Sequence, residues 1–255
     1  MSVERTVKVL VRHLITRSGL VRLHILVRKA TKQNVDHLLC KSLEDRFSTA
    51  YRNGVWLGDR PSGSLSGLGS ELANTTSIRQ RIPEILESLG SQTLLDLGCG
   101  DFNWMKDVPL PCRYIGVDIV QDVIRANASL YSSARRSFQV VDATCDPLPP
   151  ADPILCREVM FHLSFRDVWR LVGNVCNSGG SYLIATNDCG LKLNADIISG
   201  DFRSLNLHKA PFHFGAPMLS IPDGGVDPER VLAVWSVSAL PRSNGVMNFK
   251  RFLNA

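Results

Sequence analysis

From Thr93 onward the chain alternates short apolar runs with amphipathic stretches, and few folds accommodate that alternation. The runs are Thr93–Leu97 (TLLDL) and residues 114–118 (YIGVD), 137–141 (SFQVV), 154–156 and 181–186 (SYLIAT). Gln121–Tyr131 and residues 164–176 lie between them with helical spacing. Continuously apolar strands separated by helices predict a mostly parallel sheet covered on both faces. Residues 231–237 (VLAVWSV) read as a late strand, and residues 218–221 as a further candidate. Upstream, residues 35–52 and 76–89 read as helices, and no internal repeat is visible. At 255 residues the chain can bury one substantial α/β core plus a short appendage.

Between the two upstream helices lies GVWLGDRPSGSLSGLGS, residues 54–70. It is too long and too glycine-rich for an ordinary connector, which marks it as a site-closing lid or a mobile loop.

Charge is spread unevenly. Residues 1–32 hold eight Lys and Arg against the single acid Glu4, a local +7, so the rest of the chain carries −2 of the net +5. The body is therefore not a basic nucleic-acid binder. Val3, Val7, Leu10, Val11, Leu14 and Ile15 form one helical stripe, and Leu20, Leu23 and Val27 continue the apolar pattern past Ser18-Gly19. This fits a basic amphipathic helix on an anionic membrane surface, and equally a helix packed on the domain or against another subunit. The division expected is a basic helical extension over residues 1–45 and a catalytic domain over residues 46–255. No apolar run reaches membrane-spanning length, and the first residues lack a signal-peptide pattern. Seven scattered cysteines without a C-x-x-C pair favour a reducing cytoplasm, with peripheral contact at the inner membrane surface through residues 1–32. No metal is expected, since no His, Cys, Asp and Glu cluster has ligand spacing.

The sharpest motif is LLDLGCG, residues 94–100, a strand running into a glycine turn. Gly98 and Gly100 let the backbone approach a ligand where a side chain would clash. Asp118 ends the next strand, 22 residues after Asp96, where a carboxylate can accept from both ribose hydroxyls of a nucleoside; Ile119 follows it. Asp142 and Ala143, in VVDAT, are placed to hold adenine. A dinucleotide turn wants a small residue at position 103, but Asn103 and Trp104 stand there. Asp96 disfavours a diphosphate and suits a cationic ligand. S-adenosylmethionine meets all three requirements.

The order LLDLGCGDFNW, GVDIV, VVDAT and PILCREVMFHLS resembles a class I S-adenosylmethionine-dependent methyltransferase. That resemblance implies a doubly wound Rossmann-like, seven-stranded, mostly parallel sheet with helices on both faces, plus the N-terminal helical extension. SGSLSGLGS, Thr76, Arg79, CGDFNWM, CREVMFHLS and PFHFGAP are similar, more narrowly, to the rhizobial nodulation enzymes that 2-O-methylate fucose on lipo-chitooligosaccharides. This implies O-methylation of a hydroxyl on a saccharide or lipid-linked oligosaccharide.

A hydroxyl acceptor needs a general base, and His162, just past the fourth strand, is the candidate. Small-molecule O-methyltransferases with a catalytic His after that strand look similar, with H-D-W where this chain has His162-Leu163-Ser164. Arg157 and Glu158 sit at the same strand end, to orient His162, bind the acceptor or pair with each other. Arg79, with Thr76, is a candidate clamp for the methionine carboxylate, or else a surface charge. Trp104 is a candidate lining for the methionine end, or else ordinary core. His208 and His213, with Phe212 and Phe214, form a candidate sugar-stacking lid, or else a surface lid with a hydrophobic anchor. Two rivals are an N-methyltransferase on nucleic acid or protein and a non-catalytic S-adenosylmethionine-binding module. Against the nucleic-acid rival, Cys156-Arg157-Glu158-Val159 stands where an N-P-P-Y-type segment is expected.

Overall fold

A computed structural model describes residues 11, 14–15, 18–58, 63–223 and 226–242. The stripe from Val3 to Leu10 lies outside the described residues. Among those described, seven strands form one sheet in the order β3-β2-β1-β4-β5-β7-β6. They are β1 (Thr93–Leu97), β2 (Arg113–Asp118), β3 (Arg136–Val140), β4 (Ile154–Cys156), β5 (Tyr182–Asp188), β6 (Leu219–Pro222) and β7 (Arg230–Ser236). The first five pair in parallel, with Asp96 opposite Gly116 and Leu155. β7 runs antiparallel to both β5 and β6. The chain order reverses beside β1 and β4, and in an open sheet the ligand crevice opens beyond the strand ends at that point.

Alternation along the strands divides the core into two layers. Leu95, Leu97, Ile154, Leu183 and Trp235 pack on one face with Val168, Leu171 and Val175 of α5 (Phe165–Asn177). Leu94, Leu155, Ile184 and Val234 pack on the other face with Ile78, Ile82 and Leu86 of α3 (Thr76–Ser88) and Ile124 of α4 (Gln121–Tyr131). Period-2 alternation inside uniformly apolar strands is what a sheet covered on both sides requires. β3 is one of the two edge strands and has no buried residue, which explains its polar content. Ser164 caps α5 by accepting from the Asp167 amide at 3.2 Å.

The expected boundary at residue 45 falls inside α2 (Leu43–Arg52). Leu43, Phe47 and Tyr51 of that helix line the central cavity, so the chain does not divide there. α1 (Val21–Ala30) is docked too. Its Ile25 is buried with Val35 and Leu38, and Arg28 Nη1 meets Asp201 Oδ2 at 2.8 Å. His37 Nε2 lies 3.1 Å from the Gly200 carbonyl, tying the next turn to the same loop.

The loop after β5 corrects a second expectation. Phe212 and Phe214 are buried, the first against Phe165 and Trp169, the second against Trp235. Their rings belong to the core and are not available to stack on a sugar. His208 Nδ1 lies 3.1 Å from the Phe214 carbonyl, and His213 is exposed; neither lines the cavity.

Candidate active site

The cavity opens beyond the ends of β1, β2 and β4. Gly98 and Gly100 adopt φ of +67° and +57°, and the space beside them is full. A Cβ on Gly98 would lie 2.4 Å from Val159, and one on Gly100 would lie 2.2 Å from Ser66 Oγ. Both observations require glycine. Asp96, Gly98, Gly100 and Trp104 all line the cavity, as do Asp118, Ile119, Asp142 and Ala143. Arg157, Glu158 and His162 line it as well. Thr76 and Arg79 do not. The Thr76 hydroxyl donates to the Leu72 carbonyl at 3.1 Å, and Arg79 Nη2 donates to the same carbonyl at 3.3 Å. The first turn of α3 therefore holds its own approach segment and does not reach the cavity.

Two buried carboxylates dominate the electrostatics. Burial pushes Asp96 up to about 7, against the Tyr114 hydroxyl that donates to it at 2.7 Å and the nearby Arg157 charge. Burial likewise raises Asp118 to about 6, although it accepts from the amides of Val120 at 2.9 Å and Gly100 at 3.1 Å. A carboxylate held so high still gains from a cation or further donors. Asp142 Oδ1 is partly committed, accepting from the Thr144 amide and hydroxyl at 2.8 and 2.7 Å.

Arg157 is fixed by a partner 66 residues away. Its Nε and Nη2 donate to the carboxylate of buried Asp223, at 3.1 and 2.9 Å for the shorter contacts. Its guanidinium lies 5.3 Å over Trp104. Burial alone would lower its pKa, but Asp223, Glu158 and Asp96 outweigh that and raise it above the ordinary value. Glu158 pairs with Arg230, whose guanidinium lies 5.1 Å over Phe161. Two acids and two guanidinium groups thus form a charge-balanced buried network. Glu158 also carries φ of +61°, a strained conformation for a non-glycine residue, supported by its amide donating to Thr186 Oγ1 at 3.0 Å.

His162 Nδ1 lies 3.1 Å from the Asp201 carbonyl. A carbonyl only accepts, so Nδ1 carries the proton and Nε2 keeps its lone pair. Burial lowers the pKa of the ring, which keeps it neutral near pH 7.

Residues 64–66 of the glycine- and serine-rich segment lie against the glycine turn. Ser64 Oγ and the Leu65 amide donate to the Asp101 carboxylate, and the Asp101 amide donates to Ser66 Oγ at 2.9 Å. Ser66, Ser70 and Trp56 line the cavity. Sequence reading missed Trp56, Asp223 and Arg230. An indole inside a run of small residues was a usable signal for Trp56. Nothing local marks Asp223 or Arg230, because their partners lie on a distant strand end.

No protein-family model matches the chain, and neither does any curated protein. Solved structures do. An S-adenosylmethionine-dependent methyltransferase from Anabaena variabilis superposes with a TM-score of 0.53 at 16% identity, covering 76% of this chain and 95% of that one. The N-methyltransferase NodS from Bradyrhizobium japonicum gives a TM-score of 0.47 at 16% identity, over 64% and 93%. Human N-acetylserotonin methyltransferase gives 0.43 at 14% identity, over 79% and 70%. With the Anabaena protein as the measure, and with the sheet order described above, the chain has the Rossmann-like fold of the class I methyltransferases.

Proposed function

We propose that the protein is an S-adenosylmethionine-dependent O-methyltransferase acting on a hydroxyl of a saccharide or glycolipid, such as the 2-hydroxyl of a fucosyl residue. The observation that carries this reading is His162: a neutral imidazole with its Nε2 lone pair retained, in the same cavity as the glycine turn and Asp118. The residues fit the cofactor. Asp118 has acceptor capacity for the ribose hydroxyls beyond its two amide bonds, and the glycine turn lines the same cavity. Asp96 and Arg157 both line the cavity and interact electrostatically, a carboxyl and a guanidinium complementary to the ammonium and carboxylate of an amino acid. Asp223 holds Nε and Nη2 of Arg157, leaving Nη1 for that carboxylate. Arg157 thus takes the part for which Arg79 was one candidate.

When bound, the cofactor supplies an electrophilic methyl group on a sulfonium. His162 Nε2 accepts the acceptor hydroxyl's proton as the oxygen attacks, and the Asp201 carbonyl stabilises the imidazolium through Nδ1–H. The closed segment at Ser64 and Ser66 excludes water from the turn. The test is a labelled-methyl assay on a fractionated glycan and glycolipid extract, with mass spectrometry to place the methyl. Label in protein or nucleic acid and none in saccharide rejects the reading.

A second reading concerns where the protein works. Leu20, Leu23, Leu26 and Val27 are each more than half exposed, on the side of α1 away from buried Ile25. Arg22 is exposed on the same helix, and Lys29 pairs with Asp36 at 2.7 Å. An apolar arc beside cations fits peripheral contact with an anionic lipid surface. Among the described residues no helix is long and apolar enough to cross a membrane.

A further inference from the structure

The acceptor side of the cavity has a wall of its own. Phe47 and Tyr51 stand four residues apart on α2 and share one face. The helix ends in a reversal in which the Gly54 amide donates to the Tyr51 carbonyl and the Val55 amide to the Ala50 carbonyl. That pair of bonds turns the chain back on itself. It brings the Trp56 indole to 5.0 Å from Tyr51, nearly edge-on, and to 5.9 Å from Phe47. Trp56 also lies 5.2 Å from the His162 ring. All four rings line the cavity.

Among the described residues, several charges around this wall are paired. Glu158 pairs with Arg230, Asp223 with Arg157, and Asp201 with Arg28. The Asp101 carboxylate accepts from Ser64 and Leu65. His162 is held neutral by burial. Among the described residues, the other carboxylates lining the cavity, Asp96, Asp118 and Asp142, are assigned to the cofactor, so a cationic acceptor beside this wall would be left uncompensated, which is costly. An uncharged ring that shows a C–H face to an aromatic and a hydroxyl to an imidazole meets no such cost.

We propose that Trp56 is the acceptor platform and the main specificity determinant. Its indole, braced by Phe47 and Tyr51, takes the apolar face of a neutral sugar ring and holds one hydroxyl of that ring toward His162 Nε2. The inference rests on the saccharide reading and assigns its recognition to a residue outside the cofactor motifs.

The experiment uses the full chain with S-adenosylmethionine and methyl α-L-fucopyranoside as the acceptor probe. In Trp56→Ala, KM for the sugar should rise roughly tenfold or more, as for loss of a buried aromatic anchor, with cofactor affinity unchanged. Trp56→Phe should recover most of the loss, and it also decides the matter if the alanine variant does not fold. Saturation-transfer NMR on the wild type should show the sugar C–H protons receiving magnetisation from the protein, and the phenylalanine variant should keep a weaker signal. If the wild type methylates the sugar and both variants keep its KM, the platform is wrong and the saccharide reading stands. If the wild type methylates no saccharide in extract or as probe, while an amine probe is methylated, both fall together.

Discussion

At the residue scale the tautomer of His162 makes the sharpest demand. Its Nδ1 is committed to the Asp201 carbonyl, so only Nε2 can take a proton. His162→Ala should lower kcat by roughly 10²–10⁴-fold while leaving the cofactor dissociation constant within a factor of two or so. Single-turnover kinetics beside calorimetric cofactor binding checks this. Equal losses in both would show that the ring builds the cofactor site and does not move a proton. The acid limb of the wild-type rate should fall below the ordinary histidine range, because burial lowers this pKa. His162 was legible from sequence because it follows a strand end that any open parallel sheet turns toward its crevice. Arg79 was left open between a carboxylate clamp and a surface charge for the converse reason. A cation at a helix start before β1 looks well placed on a linear map, yet its guanidinium turns back to the Leu72 carbonyl. The direction of a side chain on a helix depends on what the preceding segment does, and that is a tertiary fact.

At the scale of elements, the β6–β7 hairpin does more than close the sheet. It delivers Asp223 and Arg230 beneath the cavity, where they neutralise Arg157 and Glu158. Asp223→Ala would leave a buried guanidinium without its bidentate partner and should cost about 3–5 kcal/mol of stability. Denaturant unfolding measures this. Replacing Arg157 and Asp223 together by Met and Leu should restore much of the stability but not cofactor affinity. Recovery of both would remove Arg157 from the cofactor site. Strands β1, β2, β4 and β5 were readable to within two residues because their runs are apolar and their lengths short. The function of the hairpin was not readable, since a contact spanning 66 residues leaves no periodicity behind. The N-terminal segment divides in the same way. Its stripes and charge were plain, but its docking through Ile25 and Arg28 depends on the loop at residues 198–201. Because docking leaves Leu23 and Val27 outward, the full protein should float with anionic vesicles and not with zwitterionic ones. The double variant Leu23→Glu, Val27→Glu should lose that flotation without losing fold. Equal flotation on both lipids, or none, rejects the membrane contact.

For the whole molecule, folding and ligand binding pull the same two carboxylates in opposite directions. Asp96 and Asp118 titrate at about 7 and about 6 in the folded chain, both raised by burial. In the unfolded chain they titrate near 3.9. Between roughly pH 4 and 7 the folded state therefore binds more protons than the unfolded one. Stability contributed by these two groups is full below that window and is lost as pH rises through it. The cofactor reverses the preference, since its ammonium and sulfonium charges and its ribose donors favour ionised carboxylates. Cofactor affinity should accordingly rise with pH across the same range and level off above about pH 7, by up to about tenfold per pH unit for each proton released. The ligand-free melting temperature and the ligand-induced shift should thus move in opposite senses between pH 5 and 7.5 or so. Parallel thermal scans with and without S-adenosylhomocysteine, which keeps the ammonium and ribose but lacks the sulfonium charge, isolate these terms. Asp118→Asn should flatten the lower part of the affinity rise and leave the upper part, belonging to Asp96, in place. An affinity that falls with rising pH, or a flat one in the wild type, would mean that neither carboxylate faces the ligand and that the nucleoside site has been placed at the wrong strand ends.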